Sequence, residues 1–102
     1  MTQPLRILVV DDNRSAADAL ARVLRKAGDD VTPMYDGHSA IDEINSSPPD
    51  LVLTDLKMAP VDGLAVLQAA RDQRPAVECI VFTAFGDVDL SLIHISEPTR
   101  PY

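Results

Sequence analysis

Apolar residues in this chain come in short runs that alternate with segments of helical period. Leu5-Arg6-Ile7-Leu8-Val9-Val10 is nearly continuous and rich in branched aliphatics, then stops at Asp11-Asp12. A run of that kind fits a strand covered on both faces. Ala17, Leu20, Ala21, Leu24 and Ala27 then recur at helical spacing and predict a first helix. Asn13 or Ser15 can cap its start, and Gly28 supplies its end. Val31-Thr32-Pro33-Met34-Tyr35 reads as a second strand. Pro33 has no N–H to give to a ladder, which places that strand at a sheet edge.

Asp36-Gly37 is a turn, Ala40, Ile41 and Ile44 mark a short helix, and Pro48-Pro49 breaks the chain. Leu51-Val52-Leu53-Thr54 is a third strand that ends in Asp55. A loop from Leu56 to Asp62 contains Pro60; Gly63 then opens a helix with Leu64, Leu67 and Ala70 on one face, and Pro75 follows its end. Glu78 to Phe82 is a fourth strand, ending at Thr83. Alternation of this kind means a parallel sheet with right-handed crossovers and helices on both faces. Ligands of such sheets bind beyond the carboxyl ends of the strands. Three of the strands end there in polar residues: Asp12, Asp55 and Thr83.

A length of 102 residues suits one domain rather than two. The formal net charge of -7 argues against sequence-independent binding to nucleic acid or anionic membrane, since both need a basic face. It suits a divalent cation or a basic partner. No apolar run is long enough to span a membrane, and Met1–Arg6 lacks the pattern of a secretory leader. Cys79 is the only cysteine, so no internal disulfide can form and a reducing cytoplasm is expected. It lies in the apolar run Cys79-Ile80-Val81-Phe82 and is expected to pack as a small core residue.

The ends of strands one and three bring Asp11, Asp12 and Asp55 to one edge if those strands are neighbours. Two unit charges about 4 Å apart repel by roughly 4 kcal/mol at an effective dielectric near 20. A hard divalent cation with oxygen ligands, Mg2+ above all, is the expected offset. A carboxylate beside such an ion can attack phosphorus and form an acyl phosphate. Thr83, at the end of the adjacent strand, could donate its hydroxyl hydrogen to a phosphoryl oxygen.

Ile7-Leu8-Val9-Val10-Asp11-Asp12-Asn13, Pro49-Asp50-Leu51-Val52-Leu53-Thr54-Asp55, Leu56-Lys57-Met58, Val61-Asp62-Gly63-Leu64 and Phe82-Thr83-Ala84 occur in that order. Together they resemble the receiver domain of bacterial two-component response regulators, from about Leu5 to Leu90. The resemblance implies a flavodoxin-like, doubly wound parallel sheet with strand order 2-1-3-4. It implies that Asp55 is the phosphoacceptor, that Asp12 is a direct Mg2+ ligand, and that Asp11 is its partner. The backbone carbonyl of Lys57 is implied as a further metal ligand, with its side chain facing solvent. Thr83 is implied as the hydroxyl switch. The implied donor is a phosphohistidine on a sensor histidine kinase or phosphotransfer protein. The stretch Thr83 to Asp89 is similar to receivers attached to enhancer-binding transcription activators.

The chain departs from the family in two places. Ala59 stands where the family usually has Pro, and Pro60 comes next. Beyond Leu90 the family continues with a fourth helix, a fifth strand, a Lys-Pro pair and a fifth helix, whereas this chain runs Ser91–Tyr102. The fifth strand and fifth helix are therefore read as missing, residues 1–90 as an incomplete receiver, and residues 91–102 as a foreign tail. Only Lys26 and Lys57 occur in the chain, and neither matches the family's phosphate-contacting Lys. His94 falls in the tail, and His38 is expected to be exposed. The fourth strand is expected to be an edge open to self-association, beside an apolar sheet face left uncovered. Two rivals follow: a receiver fragment unable to signal, and, more remotely, a Mg2+-dependent aspartyl phosphatase. The second usually needs two Asp residues spaced by one after the first strand, whereas Asp11 and Asp12 are adjacent.

Overall fold

Each of the three helices starts on a side chain that accepts a backbone N–H from its own first turn. The computed structural model describes the backbone of residues 3–85 and 89–94, and the side chains of residues 3–82. Helix α1 (Arg14–Lys26) is capped by Asn13, whose Oδ1 accepts from Ala16 N at 3.1 Å. Helix α2 (Gly37–Ser46) is capped by Asp36 through Ser39 N at 2.7 Å, so the expected Asp36-Gly37 turn is a helix start. Helix α3 (Gly63–Arg71) is capped by Asp62 through Ala65 N at 3.1 Å. Gly28 follows α1 with φ +106°, a left-handed conformation that glycine adopts without a Cβ penalty.

The strands are β1 (Arg6–Val10), β2 (Asp30–Met34), β3 (Leu51–Asp55), β4 (Glu78–Phe85) and β5 (Asp89–His94). The sheet order is β2-β1-β3-β4-β5. The first four strands are parallel, in the order 2-1-3-4 that the resemblance implied. β2 lies at the edge, as Pro33 required. β4 runs to Phe85, three residues beyond Phe82.

One expectation is overturned. β4 is not an edge strand: β5 pairs with it antiparallel, with Val81 opposite Ile93 and Thr83 opposite Ser91. A three-residue connection returns the chain directly, so this strand is no counterpart of a parallel fifth strand reached through a helix. Its backbone pairing removes the basis for self-association through β4.

The helices are divided unequally between the two faces of the sheet. α2 and α3 cover one face and bury Leu8, Val10, Val52, Cys79 and Val81 beneath Ala40, Ile44, Val66, Leu67 and Ala70. Cys79 is fully buried there, as expected, and burial pushes its thiol up to about 12. Among the described residues α1 alone covers the other face, packing Ala17 and Ala21 on Ile7, Val9 and Val31. Their short side chains let the helix approach β1 and β2 closely. Leu51, Leu53, Ile80 and Phe82, further along that face, stay half-buried, and Val23 on α1 is 62% exposed. Leu51 and Leu53 pack against the α1 cluster, so this face is partly covered among the described residues rather than left open.

Candidate phosphoacceptor and metal site

Asp11 extends the β1–β2 ladder by one step, its N–H donating to Met34 O at 3.0 Å. Its carboxylate accepts Asn13 N–H at 3.0 Å. Asn13 thus holds the β1 exit with its backbone and starts α1 with its side chain. Asp11 is buried, at 7% exposure, whereas Asp12 is exposed. Asp55 is the last residue of β3, a central strand flanked by β1 and β4. Alternation along the strand puts it on the α1 side with Leu51 and Leu53.

The turn after Asp55 is fixed by backbone contacts. Leu56 N–H donates to Phe82 O at 2.8 Å, and Gly63 N–H donates back to Leu56 O at 2.9 Å. A Cβ at Gly63 would run into the Asp55 carbonyl and would lie 2.8 Å from Leu56 Cα. Only glycine lets the start of α3 sit against the residue that ends β3. Gly37 has a related role, since a Cβ there would lie 2.7 Å from Val61 Cγ1 and press on the acceptor loop.

These elements bring Asp11, Asp12 and Asp55 together: one carboxylate oxygen from each lies within 4.8 Å of the others. Burial pushes the Asp11 carboxyl above its ordinary 3.8, and the charges of Asp55 and Asp12 push it further, against a backbone hydrogen bond from Asn13. Burial likewise raises Asp55, and the charge of Asp12 adds to the rise. The backbone N–H groups of Lys57 and Leu56 and a hydrogen bond from the Asp11 carboxyl oppose it. Carboxyls whose pKa values are raised by burial and by one another are groups that a dication would relieve. Three hard oxygen donors also suit Mg2+ by chemistry. The donor set fits the ion expected from the sequence.

Lys57 lies in the acceptor loop with an exposed side chain. Thr83 lies on β4 opposite Ser91, and its hydroxyl falls outside the described residues. His38 is exposed and pairs with Asp42 at 3.4 Å, away from the site. Some features were not read from the sequence. An open cleft of about 640 Å³ runs from the carboxylates along α1, walled by Ala16, Leu20, Val23 and Phe82. Arg14 stacks over Tyr35 at 4.1 Å, and Tyr35 donates to Asp18 Oδ1 at 2.6 Å; no sequence signal marked that pair.

A strand-end acidic triad on a 2-1-3-4 parallel sheet defines a class, and comparison with known proteins gives the same one. The response regulator receiver domain model matches residues 7–96, and the chain belongs to that family. Among named relatives, the transcriptional regulatory protein ZraR of Salmonella typhimurium is 38% identical over 86 residues, covering 84% of this chain and 20% of that protein. The DNA-binding transcriptional regulator NtrC of Klebsiella pneumoniae is 33% identical over 84 residues, covering 82% of this chain and 18% of its own length. This chain thus spans about a fifth of the curated relatives it matches. A putative response regulator from Chloroflexus aurantiacus superposes with TM-score 0.74 at 30% identity, over 84% of this chain and 72% of that one. A response regulator receiver protein from Pseudomonas putida gives 0.72 at 30% identity, over 85% and 73%. Receiver domains are phosphoacceptor signalling domains of two-component systems. No helix among the described residues is long and apolar enough to cross a membrane.

Proposed function

We propose that Asp55 accepts a phosphoryl group from a phosphohistidine on a sensor histidine kinase or phosphotransfer protein, in the cytoplasm, with Mg2+ held by Asp11, Asp12, Asp55 and the backbone carbonyl of Lys57. The observation that carries this is the convergence of three carboxylates within 4.8 Å, two of them with raised pKa values. Mg2+, when bound, supplies positive charge for the carboxylates and for the phosphoryl oxygens. What supports Asp55 as the nucleophile is its half-buried position at the end of a paired strand, beside the cleft. One of its oxygens bonds to phosphorus as the P–N bond to the donor breaks. The donor ring, protonated at its other nitrogen, leaves as neutral imidazole. Asp11 and Asp12 then hold no bond to phosphorus; their part is to hold the cation. The Thr83 hydroxyl donates to a phosphoryl oxygen once the group is in place.

The receiver unit in this reading is residues 1–90, with 91–102 foreign to it. Removing 91–102 is expected to leave Asp55 phosphorylation in place. The central test is incubation with Mg2+ and acetyl phosphate, read by intact mass. A gain of one phosphoryl group that vanishes in Asp55→Asn and on chelation supports the proposal, and a gain that survives Asp55→Asn overturns it. A second reading, a receiver fragment that takes phosphate but signals weakly, is favoured by the half-buried Leu51, Leu53, Ile80 and Phe82. It predicts a phosphorylated chain with little change in partner affinity.

A further inference from the structure

We infer that Tyr35, with Arg14 and Asp18, is a positioning group for the metal site: the three side chains staple the corner between β1 and α1 to the end of β2 and hold the Asp11-Asp12-Asn13 turn ready for a cation. This rests on the proposed function above and names residues that act through its ligands. Asp11 and Asp12, two of the three clustered carboxylates, come from that one turn. Asp11 is anchored on both sides, its N–H on Met34 O and its carboxylate on Asn13 N–H, each at 3.0 Å. Asp12 lies between the anchored residues and is exposed. Its direction therefore follows from how firmly its neighbours are held.

The staple sits one residue beyond each of those anchors: Tyr35 follows Met34, and Arg14 follows Asn13. The Arg14 guanidinium stacks over the Tyr35 ring, 4.1 Å from its centroid, within cation–π range. The Tyr35 hydroxyl donates to Asp18 Oδ1 at 2.6 Å, about one turn further along α1. The ring itself packs on the cluster of Ile7, Val9, Ala17, Ala21 and Val31. One side chain at the end of β2 thus grips the start of α1 by its face and by its tip. The same exit from β2 leads into Gly37, so close to Val61 of the acceptor loop that a Cβ would lie 2.7 Å from Val61 Cγ1. The two loops that supply proposed ligands therefore both lean on the segment Tyr35-Asp36-Gly37. A turn fixed before the ion arrives loses less binding free energy to ordering.

The sign of the effect separates positioning from electrostatics. Arg14 is a cation two residues from Asp12, so by charge alone its removal should tighten Mg2+ binding. By loss of position its removal should weaken that binding. Tyr35→Phe changes no charge and removes only the bond to Asp18. The test uses the full chain with Arg14→Ala, Tyr35→Phe and Tyr35→Leu, and with Asp12→Ala as the control that removes a ligand. Titration calorimetry with MgCl2 gives Kd, and urea melts in chelator give the stability of the metal-free chain.

For Arg14→Ala and for Tyr35→Phe we expect Kd to rise about threefold. Tyr35→Leu loses the stack and the hydrogen bond together and should raise Kd about tenfold. Arg14 is exposed, so its variant keeps the fold even where Tyr35→Leu does not. A loss of metal-free stability with Kd unchanged in Arg14→Ala and Tyr35→Phe would mark a purely structural staple and overturn the inference. So would Mg2+ binding that tightens in Arg14→Ala. Either result leaves the proposed metal site standing. A wild type with no Asp12-dependent Mg2+ binding would overturn that site and the inference with it.

Discussion

At the amino ends of the strands, Asp29 and Asp50 accept backbone N–H groups from Leu5 and Arg6 at 3.1 and 2.8 Å. At the carboxyl ends, Asp11, Asp12 and Asp55 face one another within 4.8 Å. The residue type is the same and the treatment is opposite. Each amino-end carboxylate is matched to a donor and ties one chain segment to another. Arg6 adds to this by gathering the carbonyls of Ser47 and Pro48 and the carboxylate of Glu43. The carboxyl-end aspartates are crowded instead, and two of them hold protons more tightly than free aspartate does. The backbone N–H groups that reach Asp11 and Asp55 do not offset the crowding of three carboxylates, whereas Asp29 and Asp50 each meet a donor and belong to no such cluster among the described residues. The sheet keeps its matched carboxylates at one end and its crowded ones at the other.

Adding Mg2+ should affect only the carboxyl end, and it gives the largest expected effect. At one hundred times its Kd, a ligand that binds only the native state stabilises it by about 2.7 kcal/mol, which is on the order of 10 °C in Tm for a domain of this size. Thermal melts with MgCl2 should show the rise in wild type and should lose most of it in Asp12→Ala. Next comes Gly63→Ala, which forces a Cβ onto the Asp55 carbonyl and Leu56 Cα. It should cost about 2 kcal/mol in urea melts and should blunt the Mg2+ response, because Asp55 moves with its backbone. Asp50→Ala removes the acceptor for Arg6 N–H at the amino end and should cost about 1 kcal/mol, with the Mg2+ increment unchanged. If Asp50→Ala altered the Mg2+ increment, the two ends would not be independent.

The smallest expected effect is pH dependence without metal. Asp11 and Asp55 have native pKa values above the ordinary 3.8, so between those values the native chain holds more protons than the unfolded one. Stability should therefore fall as pH rises from about 3.8 through the native values, the reverse of a salt-bridged aspartate. Asp55→Asn should flatten that slope and raise the metal-free Tm. Melts in chelator across mildly acidic pH would check the sign.

Much of this arrangement was readable before any coordinates. Strand-end aspartates stand out because β1 and β3 are unbroken apolar runs whose last residues are charged. Pro33 fixed the edge, and Asn13 and Gly28 bounded α1, because each acts through local backbone chemistry. The site residues Asp11, Asp12 and Asp55 followed from topology, since parallel neighbours bring their carboxyl ends together. What stayed hidden depends on tertiary contact. Nothing local says that Gly63 must lie against the Asp55 carbonyl, or that Arg14 will stack on Tyr35. β5 was missed for a related reason. Most of it, from Ser91 on, was set aside as foreign, yet Asp89–His94 pairs with β4 through the backbone, and backbone pairing does not depend on where a segment came from.

Asp55 ends the middle strand of five, with β1 and β2 on one side and β4 and β5 on the other. Fraying of a sheet starts at its margins, so this carboxylate is mounted where amide hydrogens should exchange last. Its backbone is slow to loosen, while its partly buried side chain still borders the cleft. If Asp55 is the acceptor, its oxygen hangs from the part of the sheet least given to fraying.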